Sequence, residues 1–171
     1  MTGQNTVFSM HPRLMTNPIV RDLPALLAAL PQMPEHPEKD YLVLDTNVVL
    51  DLFFWHDARA LALLAALSSE TFRAVVSEET LAELIDVLMR SPFHRNEEQV
   101  RAILAHYLNF SIRESLGDTP CPVRCKDPDD QKFLALATKS RCPLVTRDKH
   151  LLKIAKKMRR FGVRVTAPEA L

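Results

Sequence analysis

The sequence lacks the features that exported, membrane-spanning and disulfide-bonded proteins need. Its apolar stretches fall far short of the roughly 18 residues of a membrane span, and no basic region followed by an apolar one opens the chain. Three cysteines at irregular spacing make a disulfide framework a poor interpretation. Because no second Cys or His pair follows Cys121 and Cys125, a thiolate metal site is disfavoured too. We therefore expect a cytoplasmic protein without membrane contact.

Aromatic residues make up only 6% of the chain, which leaves Trp55 and Tyr107, besides the phenylalanines, to stack on nucleic-acid bases. The formal net charge is small, at +1, and this sum carries no electrostatic signature of phosphate binding. Along the chain, however, residues 126–171 hold 12 Lys and Arg against 5 Asp and Glu, or +7, and residues 1–125 carry −6. The basic end indicates a surface for nucleic-acid phosphates, although a solvated helix face explains its individual cations equally well.

The length and composition fit one globular domain. The chain has 171 residues, of which 47% are hydrophobic and 25% charged. Six of its 12 prolines precede residue 40, so residues 1–40 are predicted to form a proline-rich extension with at most one short helix, around residues 23–30. The domain is predicted to span residues 41–171.

Strands and helices alternate in the predicted domain. Short apolar runs without alternation indicate strands buried on both faces, at residues 41–44, 72–76, 143–146 and 162–166. Helices are expected at residues 48–54 and 58–67, after the caps Ser77 and Asn96, from Asp127 to about Lys139, and at residues 147–160. Residues 111–126 are expected to be irregular. This order predicts an α/β fold with a mostly parallel sheet and helices on both of its faces.

Acidic residues recur where the predicted strands end. Ligands of open parallel sheets bind at the carboxyl ends of the strands, so we expect carboxylates from four segments to lie at one edge. Their mutual repulsion calls for a cation, and all-oxygen ligands favour Mg²⁺ or Mn²⁺. The acids are Asp45, Glu79, Glu83, Asp129, Asp130 and Asp148.

Most of these acids also have a structural explanation. The helix dipole stabilises a carboxylate in the first turn of a helix, and a glutamate on a helix face can be solvated. Asp45 is harder to explain without function, because an Asp directly after a buried strand is costly to desolvate. The coincidence of four segments favours function. Three polar neighbours are expected to cap helices: Thr46, Asn47 and Thr146.

Four stretches of the sequence resemble the motifs of the PIN domain family in order and spacing. They read LDTNVVL at residues 44–50, VSEETLAEL at 76–84, DPDDQKFLA at 127–135 and LVTRDKHL at 144–151. The resemblance runs from about residue 41 to the C-terminus and is greatest to the toxin components of bacterial toxin–antitoxin systems. Gln131 and Arg147 depart from the residues common in that branch, and residues 91–126 match least.

The resemblance implies a metal-dependent endoribonuclease on a three-layer α/β/α sandwich, with a central, mostly parallel sheet of four to five strands. It also implies a small antitoxin partner and a homodimer. The family's four acids correspond to Asp45, Glu83, Asp130 and Asp148. Thr46, Asn47 and Thr146 accompany them, and Asp129 and Glu79 are the alternative acids.

Phosphodiester hydrolysis by such a site needs an activated water and neutralisation of the charge that develops on the phosphate. One or two Mg²⁺ ions would supply both. We expect Asp45 and Asp130 to bind metal directly, and Glu83 and Asp148 to hold waters, because Mg²⁺ retains several waters in proteins. Cations expected to contact RNA are Arg147, Lys149, Lys156, Lys157, Arg159 and Arg160.

Two other interpretations remain open. An Asp-based phosphate-handling protein also places an Asp at a strand end. A haloacid-dehalogenase-type phosphatase, however, needs a second acid where this chain has Asn47, and a response-regulator receiver needs a late Lys and has no counterpart of Glu83. The second interpretation is a non-catalytic PIN module that binds RNA or a protein, against which the retention of all four acids counts.

Overall fold

The computed structural model describes residues 10–171, which form an α/β fold around one five-stranded sheet. Neighbouring strands are parallel and follow the order β3-β2-β1-β4-β5. The predicted parallel sheet of four to five strands is therefore confirmed. The strands are β1 (Asp40–Leu44), β2 (Phe72–Val76), β3 (Ser111–Arg113), β4 (Leu144–Val145) and β5 (Val165–Thr166).

Side chains that alternate along the strands enter two separate cores. In β1, Leu42 and Leu44 belong to one hydrophobic cluster and Val43 to the other, so both faces of the sheet are buried. Helices cover both faces, as expected. They are α1 (Pro12–Met15), α2 (Pro18–Ala28), α3 (Thr46–Phe53), α4 (Leu61–Ser68), α5 (Glu78–Met89), α6 (Glu97–Leu108), α7 (Gln131–Ser140), α8 (Lys149–Lys153) and α9 (Ala155–Arg159).

The helices on the two faces of the sheet come from different parts of the chain. The first cluster takes its helical residues from α1 to α6, and the second takes them from α7, α8 and α9. No helix formed by residues 10–171 is long and apolar enough to cross a membrane.

The segment before β1 is more ordered than its prolines predict. At most one short helix around residues 23–30 was expected, and this is wrong, because α1 and α2 both form. Asn17 caps α2 by accepting hydrogen bonds from the N–H groups of Ile19 and Val20, and Pro18 occupies the first helical position. Ile19, Val20 and Leu23 are buried in the core that α5 shares. Residues 1–9 of the predicted extension lie outside the described residues.

Three other local predictions are wrong. Residues 111–113, expected to be irregular, form the edge strand β3 beside β2. The basic helix expected at 147–160 is divided into α8 and α9 at Ile154, and Leu151 and Met158 are both buried in the second cluster. Thr46 and Asn47 do not cap α3, since the helix begins at Thr46 and Asp45 holds the cap position.

The sheet order places the sequence motifs at one edge. Asp45 follows β1, the central strand, while Ser77 and Thr146 follow its two neighbours, β2 and β4. Ser77 caps α5 through a capping box with Thr80, so that this helix begins directly at the carboxyl end of β2. The first turns of α3 and α5 and the loop after β4 therefore meet at that edge.

Candidate active site

Asp45 lies at the centre of the site and is almost completely buried, with 3% of its surface exposed. Its backbone carbonyl accepts hydrogen bonds from the N–H groups of Val48 and Val49, which begins α3. Its side chain makes no capping bond. Instead, Asp45 Oδ2 accepts a hydrogen bond of 2.7 Å from Thr146 Oγ1. The carboxylate is therefore held by the strand next to its own.

Glu83 enters the site from the middle of α5. Its Oε1 accepts a 2.8 Å hydrogen bond from Thr46 Oγ1, and its Oε2 forms an ion pair with Lys132 Nζ. Both members of this pair are largely buried, at 17% and 16% side-chain exposure. Thr46 thus serves as a donor to Glu83, and Lys132 is the cation nearest to that carboxylate.

Asp130 is half-buried at the end of the 3-10 turn Pro128–Asp130, immediately before α7. The turn is capped by Asp127, as predicted, since its Oδ1 accepts a 2.9 Å bond from the N–H of Asp129. Burial, then repulsion from Asp45 and further carboxylates, raises the pKa of Asp130 to about 7.

The pKa of Asp45 is also high. Burial is the largest cause and raises it to about 6 from the ordinary value of 3.8, with repulsion from Glu83 and Asp148 adding to the effect. The hydrogen bond from Thr146 opposes this rise, because it stabilises the ionised form. Two carboxyl groups with raised pKa values therefore repel each other at one place in the molecule, a pattern that favours a functional site over a structural one.

Thr146 and Asp148 are joined to Asp45 by hydrogen bonds. Asp148 caps α8, since its Oδ1 accepts bonds from the N–H groups of His150, at 2.5 Å, and Leu151, at 3.4 Å. Its own N–H donates to Thr146 Oγ1 at 2.9 Å, so Thr146 connects the two acids. Asp148 contributes to the raised pKa of both Asp45 and Asp130. Asp148 therefore caps α8 and also adds negative charge close to Asp45 and Asp130.

One cleft of about 670 Å³ opens over these residues. Three of the four acids that the resemblance selects line it: Asp45, Glu83 and Asp130. The cleft also contains four of the supporting residues, which are Thr46, Asn47, Glu79 and Asp129. The structure therefore brings segments that are far apart in the sequence to one place, at the edge where they were expected.

Several cleft residues had no place in the sequence analysis. Lys132 lies in the first turn of α7, where the helix dipole disfavours a cation, and this anomaly is a signal that could have identified it. Asp86 follows Glu79 and Glu83 at helical spacing, which places it on the same face of α5, and Arg90 is the C-cap residue of that helix. Arg13 also lines the cleft, and nothing local in the sequence points to it.

A family model described as PIN domain matches residues 41–150, more than half of the chain. The chain belongs to the PIN domain family. Among solved structures, it is similar to a chain in the crystal structure of VapBC2 from Rickettsia felis bound to a DNA fragment from their promoter. The TM-score is 0.55 at 17% identity, over 73% of this chain and 98% of that chain, which supports the shared fold. No curated protein matches the sequence.

All four acids lie within residues 41–150, the segment that the family model matches. Helices α1 and α2 precede it, and α9 and β5 follow it. Arg13 therefore reaches the cleft from outside the matched segment, whereas Arg90 and Lys132 lie within it.

The six cations of this PIN domain that are expected to contact RNA fall into two groups. Arg147 is largely buried, because its guanidinium pairs with Asp51 Oδ2, at 2.5 Å, and with Glu169 Oε1. It connects α3 to the C-terminal turn, and both of its carboxylate partners compete with the RNA contact expected of it. The other five cations are exposed on α8, α9 and the residue after α9: Lys149, Lys156, Lys157, Arg159 and Arg160.

The cleft of this PIN domain offers few free carboxylate oxygens to a divalent cation. Among residues 10–171, no three His, Cys, Asp or Glu side chains are gathered closely enough to hold one ion by themselves. Glu83 is engaged by Thr46 and Lys132, and one oxygen of Asp148 caps α8. Asp45 and Asp130 remain as two oxygen ligands whose raised pKa values a cation would lower. This set fits an ion that takes few protein ligands and keeps its waters, as Mg²⁺ does.

Proposed function

We propose that this PIN-domain protein is a metal-dependent endoribonuclease and the toxin of a toxin–antitoxin pair. The observation that supports the proposal most directly is the pairing of Asp45 and Asp130 in one cleft. Both carboxyl groups have raised pKa values, and both come from segments that resemble family motifs. Repulsion between such groups is a cost that a cation of the catalytic centre would remove.

In this proposal Asp45 and Asp130 would hold Mg²⁺ or Mn²⁺ directly, and Glu83 and Asp148 would hold waters. The chemistry supplied by such an ion would be Lewis acidity, to neutralise charge on the phosphate and lower the pKa of a water. Thr146 keeps Asp45 oriented and favours its ionised form through the 2.7 Å hydrogen bond. Thr46 orients Glu83 by donating a hydrogen bond to its Oε1.

The test is cleavage of single-stranded RNA by the purified, metal-free protein after addition of Mg²⁺ or Mn²⁺, with a chelator arm. Asp45→Asn preserves shape and removes the ionisable carboxylate, so we expect its rate to fall by on the order of 100-fold. The matched control is Asp40→Asn, which makes the same change at the exposed, opposite end of β1. It should cleave at the wild-type rate.

Chelator-insensitive cleavage, or equal rates for Asp45→Asn and the wild type, would refute the proposal. Absence of cleavage in every metal arm would favour the non-catalytic PIN module instead. The Asp45→Asn preparation also controls for contaminating ribonuclease, since it passes through the same purification.

The proposed partners are an RNA substrate, a small antitoxin and a second copy of the chain in a cytoplasmic homodimer. One solved structure with a similar fold is that of VapBC2 bound to a DNA fragment from their promoter. Two large apolar side chains on or near α3 and α4, Trp55 and Leu61, are about 60% exposed and are available for such contacts. Light scattering of the purified protein tests the homodimer, and co-purification with the product of an adjoining gene tests the antitoxin.

A further inference from the structure

We infer that α1 and α5 together form a second binding subsite in the cleft, which holds a backbone phosphate of the RNA strand beside the cleaved bond. Arg13 and Arg90 are its cationic groups. The inference rests on the proposed function and specifies where the strand is held. Arg13 precedes the segment that the family model matches and Arg90 lies within it, so the subsite combines one residue from outside that segment with one from inside it.

Both arginines line the same cleft as Asp45 and Asp130. Arg13 Nη2 lies 2.7 Å from Asp86 Oδ2, and Arg90 Nη1 lies 3.5 Å from the same oxygen. Two guanidinium groups therefore share one carboxylate, which leaves one positive charge in excess at this place. Both arginine side chains are 55% exposed, whereas Asp86 is only 17% exposed. Each guanidinium has five N–H donors, so most of them remain available to phosphate oxygens.

The polarity of the cleft follows the axis of α5. Glu79, Glu83 and Asp86 line it at spacings of three or four residues, so they lie along one face of the helix, and Arg90 is the extended residue that caps its C-terminus. Arg90 lies seven residues beyond Glu83, or about 10 Å along the axis at 1.5 Å per residue. Glu79 and Glu83 thus lie towards the start of α5, whereas the two arginines lie at its end and hold Asp86 between them. This arrangement suits a strand whose reacting phosphate sits among the acids and whose neighbouring phosphate meets the guanidiniums.

Arg13 is held in place by its helix. Leu14, the next residue, is buried in the core beneath α1. Asn17 Nδ2 lies 3.1 Å from Met89 Sδ, which joins the start of α2 to the end of α5. The carboxylate of Asp86 orients the guanidinium further. Preorganisation of this kind lowers the entropy lost when a phosphate binds, and Arg provides bidentate geometry for phosphate oxygens.

The experiment measures RNA binding apart from cleavage. The full chain carries Asp45→Asn to prevent turnover, and fluorescence anisotropy follows a labelled single-stranded RNA in Mg²⁺ at several salt concentrations. We expect Arg13→Gln with Arg90→Gln to weaken binding about tenfold. We also expect the slope of log affinity against log salt to shrink by about 0.7 for the lost phosphate contact. Arg13→Lys, which keeps the charge, should retain most of the slope.

The matched control is Arg101→Gln. Arg101 also pairs with a carboxylate of the N-terminal segment, Asp22 Oδ2 at 2.7 Å, but it lies on α6 and does not line the cleft. Wild-type affinity and slope in the double variant would overturn the subsite, even if the wild-type protein cleaves RNA. If the double variant loses affinity and slope as expected but the wild-type protein never cleaves RNA, the subsite is supported and only the proposed nuclease activity is refuted. The single variant Arg90→Gln leaves α1 unchanged, and its affinity and slope are compared with those of Arg101→Gln in the same way.

Discussion

Asp45 carries a carboxyl group that is poorly solvated in its ionised form, because only 3% of the residue is exposed. Its pKa is raised to about 6 in the folded protein, against 3.8 ordinarily, mainly by burial. A carboxyl group whose pKa rises on folding stabilises the protein while it is protonated. That contribution is fully present below pH 3.8 and is lost as the pH rises through about 6.

We therefore expect Asp45→Asn to be more stable than the wild type in chelator at pH 7.5. The difference should be on the order of 2 kcal/mol, or about 5 °C in Tm, and should shrink towards zero at pH 4. Scanning calorimetry in chelator at the two pH values measures it, with Asp40→Asn as the control at the exposed end of β1. Added Mg²⁺ should raise the Tm of the wild type and not that of Asp45→Asn. A less stable Asp45→Asn at pH 7.5 would contradict this account.

Lys132 neutralises Glu83 inside the cleft and so competes with any added cation for the same negative potential. Replacing it by Met keeps the length of the side chain and removes the charge. We expect Lys132→Met to bind Mg²⁺ about tenfold more tightly, because one repelling charge is lost from a partly buried site. Isothermal titration of metal-free protein with Mg²⁺ measures the change.

Lys139→Met is the control for Lys132→Met. Lys139 lies on the same helix and pairs with Glu114 at 3.7 Å, outside the cleft. Its variant should bind Mg²⁺ as the wild type does. Unchanged or weaker Mg²⁺ binding by Lys132→Met would show that the lysine contributes structure and does not compete with the ion.

At the scale of elements, the sequence predicted best where a pattern is local. Asp45 after an apolar run and Glu83 on an amphipathic helix both reach the cleft, since strand ends and helix faces follow from periodicity. The division at Ile154 escaped prediction because no Gly or Pro marks it. Leu151 and Met158 lie seven residues apart, so an unbroken helix would bury both of them as well. Strand β3 has only three residues, too few for periodicity to register.

Helix α2 shows how a strong local signal can mislead. The density of prolines suggested an extension, yet Pro18 occupies a first-turn position that tolerates it, and Pro24 lies inside the helix. The decisive contacts are distant in sequence, since α2 packs on α5. Arg13 reaches the cleft for the same reason, and its place could not be predicted from neighbouring residues.

We expect Leu23→Ala to lower the free energy of unfolding by about 3 kcal/mol, because Leu23 is fully buried between α2 and the core. The control is Leu61→Ala on α4, where the side chain is 59% exposed and the cost should be below about 0.5 kcal/mol. Urea unfolding of the full chain measures both. If residues 1–40 were an extension independent of the domain, Leu23→Ala would be as neutral as its control.

For the whole molecule, the net charge of +1 conceals two regions of opposite sign. The cleft contains seven carboxylates against Arg13, Arg90 and Lys132, so in the absence of metal it repels an RNA strand. The exposed cations of α8 and α9 lie in a separate part of the chain, which follows the last of the four acids. We thus assign the first attraction of the strand to the cations of α8 and α9, and its placement in the cleft to Arg13 and Arg90.

We expect Lys156→Gln with Lys157→Gln to weaken RNA binding several-fold and to reduce the slope of log affinity against log salt by up to about 1.4. Arg21→Gln with Lys39→Gln removes the same charge from two exposed positions near the N-terminus and should change the slope little. Anisotropy titrations of both double variants in the Asp45→Asn background provide the comparison. Equal losses in the two pairs would show that net charge alone attracts RNA, whereas a loss confined to the first pair assigns the approach of the strand to α9.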